Sequence, residues 1–308
     1  MRRLIALILF AAAAFGVTGC DRVPQPRPAT AQAPASAQTV LRFTGLENPQ
    51  DVAVDAAGNV YVADLHQFKD DNGFPDATTR VIKLPAGATN PTVLPQFVHA
   101  GLVADVAGSV WVADTGNDQL VKLPTGSGPV TTLPLPNLGR QRGSGVLAMD
   151  SAGYAYGSDG GGVGPDGGCC VPVHVVKSAG RDAPTVLPFR NVDGLSGIAV
   201  DNAGNVYAGD GMGNRVLKLA TGTDAPTVLP FNHIVGVADV AVDGAGSVYV
   251  VDADHNRVLK LAAGSDTPTA LPFTGLDHPN RVTVDTGGNV YVIDNGNRRV
   301  VKLAAEGS

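Results

Sequence analysis

Six histidines stand in the chain, at His66, His99, His174, His233, His255 and His278. A neutral imidazole is a common metal ligand, so zinc is one chemistry they could support. No H-E-x-x-H or other close-spaced pair occurs, and solvated loop histidines read equally well from the same residues. A second set is Asp51, Asp239 and Arg281, with Gln50 and Asn280 beside them. Two carboxylates around a guanidinium could make a polar pocket that fixes a small ligand. They could also make an ion pair that only ties neighbouring strands together. Six more aspartates, Asp64, Asp114, Asp159, Asp210, Asp252 and Asp294, recur in equivalent settings. That recurrence reads as structure, a short carboxylate taking N–H bonds from the following turn, rather than as catalysis. Adjacent Cys169 and Cys170 could form a vicinal disulfide, remain thiols, or pair with another chain.

The elements that must position these residues are repeats. One unit runs SGIAVDNAGNVYAGDGMGNRVLKLATGTDAPTVLPF from Ser196 to Phe231, and the next runs ADVAVDGAGSVYVVDADHNRVLKLAAGSDTPTALPF from Ala238 to Phe273. Shorter or more divergent copies begin at Gln50, Leu102, Gly145 and Asn280. The first Asp of each copy marks the register: Asp55, Asp105, Asp150, Asp201, Asp243 and Asp285, the last two steps being 42 residues each. Such a period, with four short strands per unit, is that of a β-propeller. The spacing predicts strands a (VAVD), b (NVYVAD), c (RVLKL) and d (TVLPF), with D-x-x-G-N or D-x-x-G-S as a tight a–b turn needing a positive-φ glycine. No blade buries both its faces alone, so the ring is the stable unit. The fold class is all-β, with six blades by count.

The last copy ends after strand c, whereas Thr39-Val40-Leu41-Arg42-Phe43 forms a d strand with no preceding blade. We read this segment as completing blade six and removing the open edge. In a propeller the b–c and d–a links emerge on one face, and there the length variation lies. All six histidines map to those links. Four residues before each register Asp stand Asp51, Gly101, Val146, Gly197, Asp239 and Arg281. The three charged positions belong to blades five, six and one, consecutive around the closed ring, which are also the blades of His66, His233, His255 and His278. Two insertions fall in b–c links. Leu65–Thr79 carries Asp70, Asp71, Asn72 and Asp76, which could take calcium; it lacks a regular D-x-[DN]-x-[DN]-G loop and reads as a flexible acidic loop. Gly160–Pro172 holds the cysteine pair. No cofactor is assigned; calcium and zinc are the metals these residues leave open.

The chain opens with Met1-Arg2-Arg3 and an apolar run from Leu4 to Ala14, too short for a membrane span. Val17-Thr18-Gly19-Cys20 resembles a bacterial lipobox, which implies a signal peptide over 1–19 and acylation of Cys20. Residues 20–38, rich in Pro, Ala and Gln, read as a tether between membrane and domain. The propeller is expected over 39–308. A formal net charge of −6 argues against nucleic-acid binding. No phosphate-binding G-x-x-x-x-G-K is present.

The composite T-V-L-P-F-x-G-L-x-x-P-x-x-V-x-V-D-x-x-G-N-V-Y-V-x-D-x-G-N-x-R-V-x-K-L resembles NHL-repeat propellers, and residues 39–308 are similar to the extracellular sensor domain of mycobacterial membrane serine/threonine kinases. The resemblance implies an extracytoplasmic binding or sensing module of actinobacterial type. Kinase activity is not carried over, since no kinase motif accompanies these repeats. The expectation is a lipid-anchored, monomeric, non-enzymatic propeller with a cell-envelope protein or glycan as ligand. Metal-dependent propeller lactonases and lyases supply the enzymatic alternative, with a His/Asp site at the channel mouth.

Overall fold

A computed structural model describes residues 38–69, 75–94, 100–104, 108–114, 117, 119–124, 130–134, 147–159, 173–179 and 183–305. They form six four-stranded antiparallel sheets. Blade four is typical, with strand a at Leu195–Val200, b at Val206–Asp210, c at Arg215–Leu219 and d at Thr227–Val228. Each strand a lies beside strand a of the next blade, including blade six beside blade one, so the ring is closed.

The sequence pattern explains the packing. All five residues of strand b are buried in blades two, four, five and six, so both faces of the strand are covered. Each core cluster joins two successive blades. Tyr249, Val251 and Val258 of blade five pack with Val290, Val292 and Val301 of blade six. Tyr291, Ile293 and Val300 of blade six in turn pack with Val52, Val62 and Ile82 of blade one. Each fully buried aliphatic side chain stabilises this arrangement by roughly 1.5–3 kcal/mol relative to exposure.

Closure is made by the N-terminal strand. Gln38–Val40 pairs with Arg299–Leu303 in the register Gln38↔Leu303, Thr39↔Lys302, Val40↔Val301. Leu41 N–H donates to the Val300 carbonyl at 2.9 Å, and the Gln38 amide clasps Thr274 in the preceding d–a link. The strand begins at Gln38, one residue inside the segment read as tether.

At the a–b turn the register aspartate organises the chain. Asp285 Oδ1 accepts from the Gly287 and Asn289 N–H groups, and Oδ2 accepts from Asn289 Nδ2 and from the Tyr291 hydroxyl at 2.9 Å. Gly288 takes φ 81° to complete the turn. The same carboxylate–tyrosine bond joins Asp55 to Tyr61, Asp150 to Tyr156, Asp201 to Tyr207 and Asp243 to Tyr249. A strand-c lysine lies over each ring, as Lys302 does 5.4 Å from the Tyr291 centroid. Burial, and then the partner aspartate, pushes the Tyr61, Tyr156, Tyr207 and Tyr291 hydroxyls well above the ordinary tyrosine range.

Blade one departs from the expected flexible acidic loop. Strand b runs Val60–Lys69 and strand c runs Pro75–Leu84, their register continuing to Lys69↔Pro75. The segment is a β-ribbon standing beyond the sheet, because Thr78 and Thr79 and the alternating residues opposite them favour extended backbone. Asp76 lies within its ladder, while Asp70, Asp71 and Asn72 lie outside the described residues. So do Cys20, His99, Cys169 and Cys170.

Candidate functional site

The start of strand a is where blades differ. In blades one, four, five and six the a–b register skips one residue: Gln50, Ser196, Ala238 and Asn280. Such bulges re-aim the side chains that follow them. Those side chains are Asp51, Gly197 (which has none), Asp239 and Arg281, and they reach the central channel. The channel cavity is about 280 Å³. Asp51, Asp239, Arg281 and Ser196 lie at one end, and Asp55, Asp243 and Asp285 at the other. Between them the wall is mostly aliphatic, with Val52, Ile198, Val240 and Val282 among its residues and Thr283 beside them.

The three charged residues singled out from the sequence therefore come together. Arg281 Nε stands 4.0 Å from Asp51 Oδ1, an ionic contact too long for a hydrogen bond. Arg281 Nη1 donates to the Asn280 carbonyl at 3.0 Å and to the Ala238 carbonyl at 3.4 Å. Asp239 Oδ2 accepts the Val282 N–H of the next blade at 2.9 Å. On its other side Asp239 abuts Gly197, where an added Cβ would lie 2.6 Å from Oδ1. A side chain at 197 would thus displace the carboxylate. Burial pushes the Asp239 carboxyl up to about 7, and Asp51 adds to the rise; Arg281 and the Val282 and Val240 N–H groups oppose it. Part of the residue's surface is exposed, but it faces the narrow channel, where little water replaces the lost hydration.

Gln50 and Asn280 occupy bulges beside this group. Gln50 Nε2 donates to Asn48 Oδ1 at 2.7 Å, whereas Asn280 Oδ1 is buried with no donor. The described histidines do not join the cluster, and none lines the cavity. His66 Nδ1 lies 2.7 Å from Glu47 Oε1, His255 Nδ1 lies 2.9 Å from Asp252 Oδ1, and His278 Nδ1 lies 2.6 Å from Asp277 Oδ1. The hydrogen bond from His66 holds the Glu47 carboxyl below its ordinary range. His233 sits in the left-handed region at φ 58°, its carbonyl accepting from Arg257 Nη2 at 3.1 Å. His174 is exposed at the start of its strand c. Each described histidine on the face thus answers to its own link. Among the described residues no three His, Cys, Asp or Glu side chains come together as a metal site.

The aspartates that end strand b are structural, by a route only partly visible in sequence. Asp64, Asp210, Asp252 and Asp294 are fully buried. Their main backbone donors come from the d–a link, not the following turn: Asn48 to Asp64, Val235 to Asp252 and Asp277 to Asp294. Gly213, in the following turn, also donates to Asp210. A strand-c arginine completes each set, five residues on in blades four, five and six and 16 on in blade one: Arg257 Nε to Asp252 at 2.7 Å, Arg299 to Asp294 at 2.6 Å, Arg215 to Asp210, and Arg80 to Asp64. Blade two uses Gln119 instead. The recurring D-x-x-x-x-R spacing was the available signal.

Residues 276–303 match the NHL repeat family. A stretch of 72 residues is 44% identical to serine/threonine-protein kinase PknD of Mycobacterium tuberculosis, covering 22% of this chain and 9% of the kinase. The likeness thus spans a small fraction of that protein. Among solved structures, a calcium-binding protein, regucalcin, from Agrobacterium tumefaciens aligns with TM-score 0.59 and 15% identity over 88% of this chain and 95% of that one. Virginiamycin B lyase from Staphylococcus aureus aligns with TM-score 0.52 and 11% identity over 87% and 99%. At these identities the structures share the fold alone. The chain is thus a six-bladed β-propeller of four-stranded blades that carries a matching NHL repeat over residues 276–303 and is similar to the kinase over a short stretch.

Proposed function

We propose that this chain is an extracytoplasmic binding or sensor propeller, held at the membrane by lipid on Cys20, that takes its ligand at the Asp51–Asp239–Arg281 channel mouth. One observation carries the reading: three charged side chains from three consecutive blades meet at a position where the other blades place Gly or Val. A purely structural ion pair would not need an enclosed carboxylate, Asp239, held up near neutrality by burial. The likeness to PknD supports a sensing role. Cell-wall fragments and glycans are the first ligands to try, as polar molecules that a small polar pocket in an envelope protein would meet. Asp51→Ala, Asp239→Ala and Arg281→Ala should each lose binding to such a ligand set and keep the folded spectrum. Unchanged binding in all three rejects the site.

The second reading is a metal-dependent enzyme, favoured by the likeness of the fold to virginiamycin B lyase and to a Xanthomonas campestris gluconolactonase. Elemental analysis of chelator-free protein separates the two. Stoichiometric calcium or zinc, lost in Asp51→Ala, favours the enzyme.

A further inference from the structure

The channel has a charge pattern that the mouth alone does not reveal. Among the described residues its charged lining is Asp51, Asp55, Asp239, Asp243 and Asp285 against Arg281. They fall at two levels, four residues apart along strand a, which is about 13 Å of extended backbone. The lower carboxylates are fixed. Asp55 accepts from Tyr61, Asn59 and the Ala57 N–H, and Asp243 and Asp285 are held by the same turn geometry. They cannot swing away, and bonds from neutral donors leave their charge in place. The upper level is Asp239 and Asp51 with Arg281. The wall between the levels is mostly aliphatic, with Val52, Val54, Ile198, Val240, Val242 and Val282 beside the single hydroxyl of Thr283, and offers a hydrocarbon chain contact.

A negative mouth, a hydrocarbon sleeve and a second negative level are complementary to one ligand shape. We propose that the channel takes a linear aliphatic diamine or polyamine, one ammonium group between Asp51 and Asp239 and another towards Asp55, Asp243 and Asp285, and that its entry expels a proton from Asp239. The inference rests on the channel-mouth reading above and narrows its ligand class. A divalent metal fits less well, because among the described residues no third ligating side chain joins the two upper carboxylates. The groups that face Asp239 are Arg281 from blade six and Asp51 from blade one; strand a of blade four brings only Ser196 and Gly197. The Arg281 charge is therefore shared by two carboxylates, and the surplus is relieved by a proton. Burial holding this carboxyl up at about 7 agrees with that balance. An ammonium group supplies the missing positive charge and makes the proton unnecessary.

The test is isothermal titration of the full chain at pH 7 with α,ω-diaminoalkanes of about four to ten carbons, in phosphate and in Tris. The expected result is an affinity that rises to an optimum at about nine carbons, where the extended ends are roughly 13 Å apart, the spacing of the two levels. The heats should differ between buffers by about half a proton released per ligand. In Asp239→Asn the buffer difference should vanish, and in Asp51→Asn affinity should fall at least about tenfold. Both variants remove a charge next to another and should fold, which their melting curves check. Binding that ignores chain length, or that releases no proton at pH 7, overturns the proposal. Saturable calcium binding lost in Asp51→Asn, with no diamine bound, overturns it in favour of a metal. If no diamine binds while a wall fragment does, the ligand class falls and the mouth stands; if neither binds, both readings fall.

Discussion

The two ends of the channel are built from the same strand and teach opposite lessons. At the a–b end, five described blades repeat one arrangement, a carboxylate fixing its turn and a tyrosine hydroxyl with a lysine over the ring. At the other end, four residues earlier, the blades diverge into Asp51, Gly101, Val146, Gly197, Asp239 and Arg281. What five blades repeat fixes the ring, whatever a ligand also meets there. What three consecutive blades alone possess serves something asymmetric. The buried strand-b aspartates fall on the repeated side of that division, and Asp51, Asp239 and Arg281 on the other.

The comparison breaks first where the ring does. Deleting residues 38–43 removes the strand that completes blade six and exposes Leu303, Val301 and the cluster under Leu41 and Phe43. The melting temperature should fall by about 10 °C or more, read by circular dichroism. An unchanged melting curve would mean that closure does not depend on this strand. Next comes a single repeated carboxylate. Asp252→Ala leaves Arg257 and the Val235 N–H without their acceptor and should cost roughly 3–5 kcal/mol in denaturant unfolding. A loss under about 1 kcal/mol would move these aspartates out of the structural class.

A smaller effect, of opposite sign, sharpens the contrast at the mouth. The Asp239 carboxyl is held up at about 7 in the folded chain, against about 4 when unfolded. The folded state therefore binds the proton more tightly across that window. Wild-type stability from this group is full below pH 4 and is lost as pH rises towards 7. Asp239→Asn should then melt a few degrees above wild type at pH 8, and the gap should close as pH falls to 4. A variant less stable than wild type at pH 8 would show that the carboxylate holds the fold.

Much of this was legible in the chain. The 42-residue steps, the D-x-x-G turns and the stray Thr39–Phe43 strand gave the blade count and the closure, because each is a local pattern that a strand or turn requires. Aligning the start of strand a brought Asp51, Asp239 and Arg281 together, since ring order turns sequence distance into adjacency. Other features resisted. The donors to Asp64 and Asp252 come from links 16–17 residues earlier, which no local turn pattern announces. The described histidines stay apart, and His66, His255 and His278 are each held by a carboxylate in or beside their own link. The blade-one ribbon read as a loop because charged residues at its tip hid the threonines that pair beneath them.

The central claim is that the channel mouth is a site and not a brace. The most direct measurement pairs binding with stability in one protein, the triple variant Asp51→Asn, Asp239→Asn, Arg281→Gln. Its melting temperature at pH 7 should stay within a few degrees of wild type while binding of the cell-envelope ligand or diamine is lost. Retained binding, or collapse of the fold with the charges, would contradict the claim.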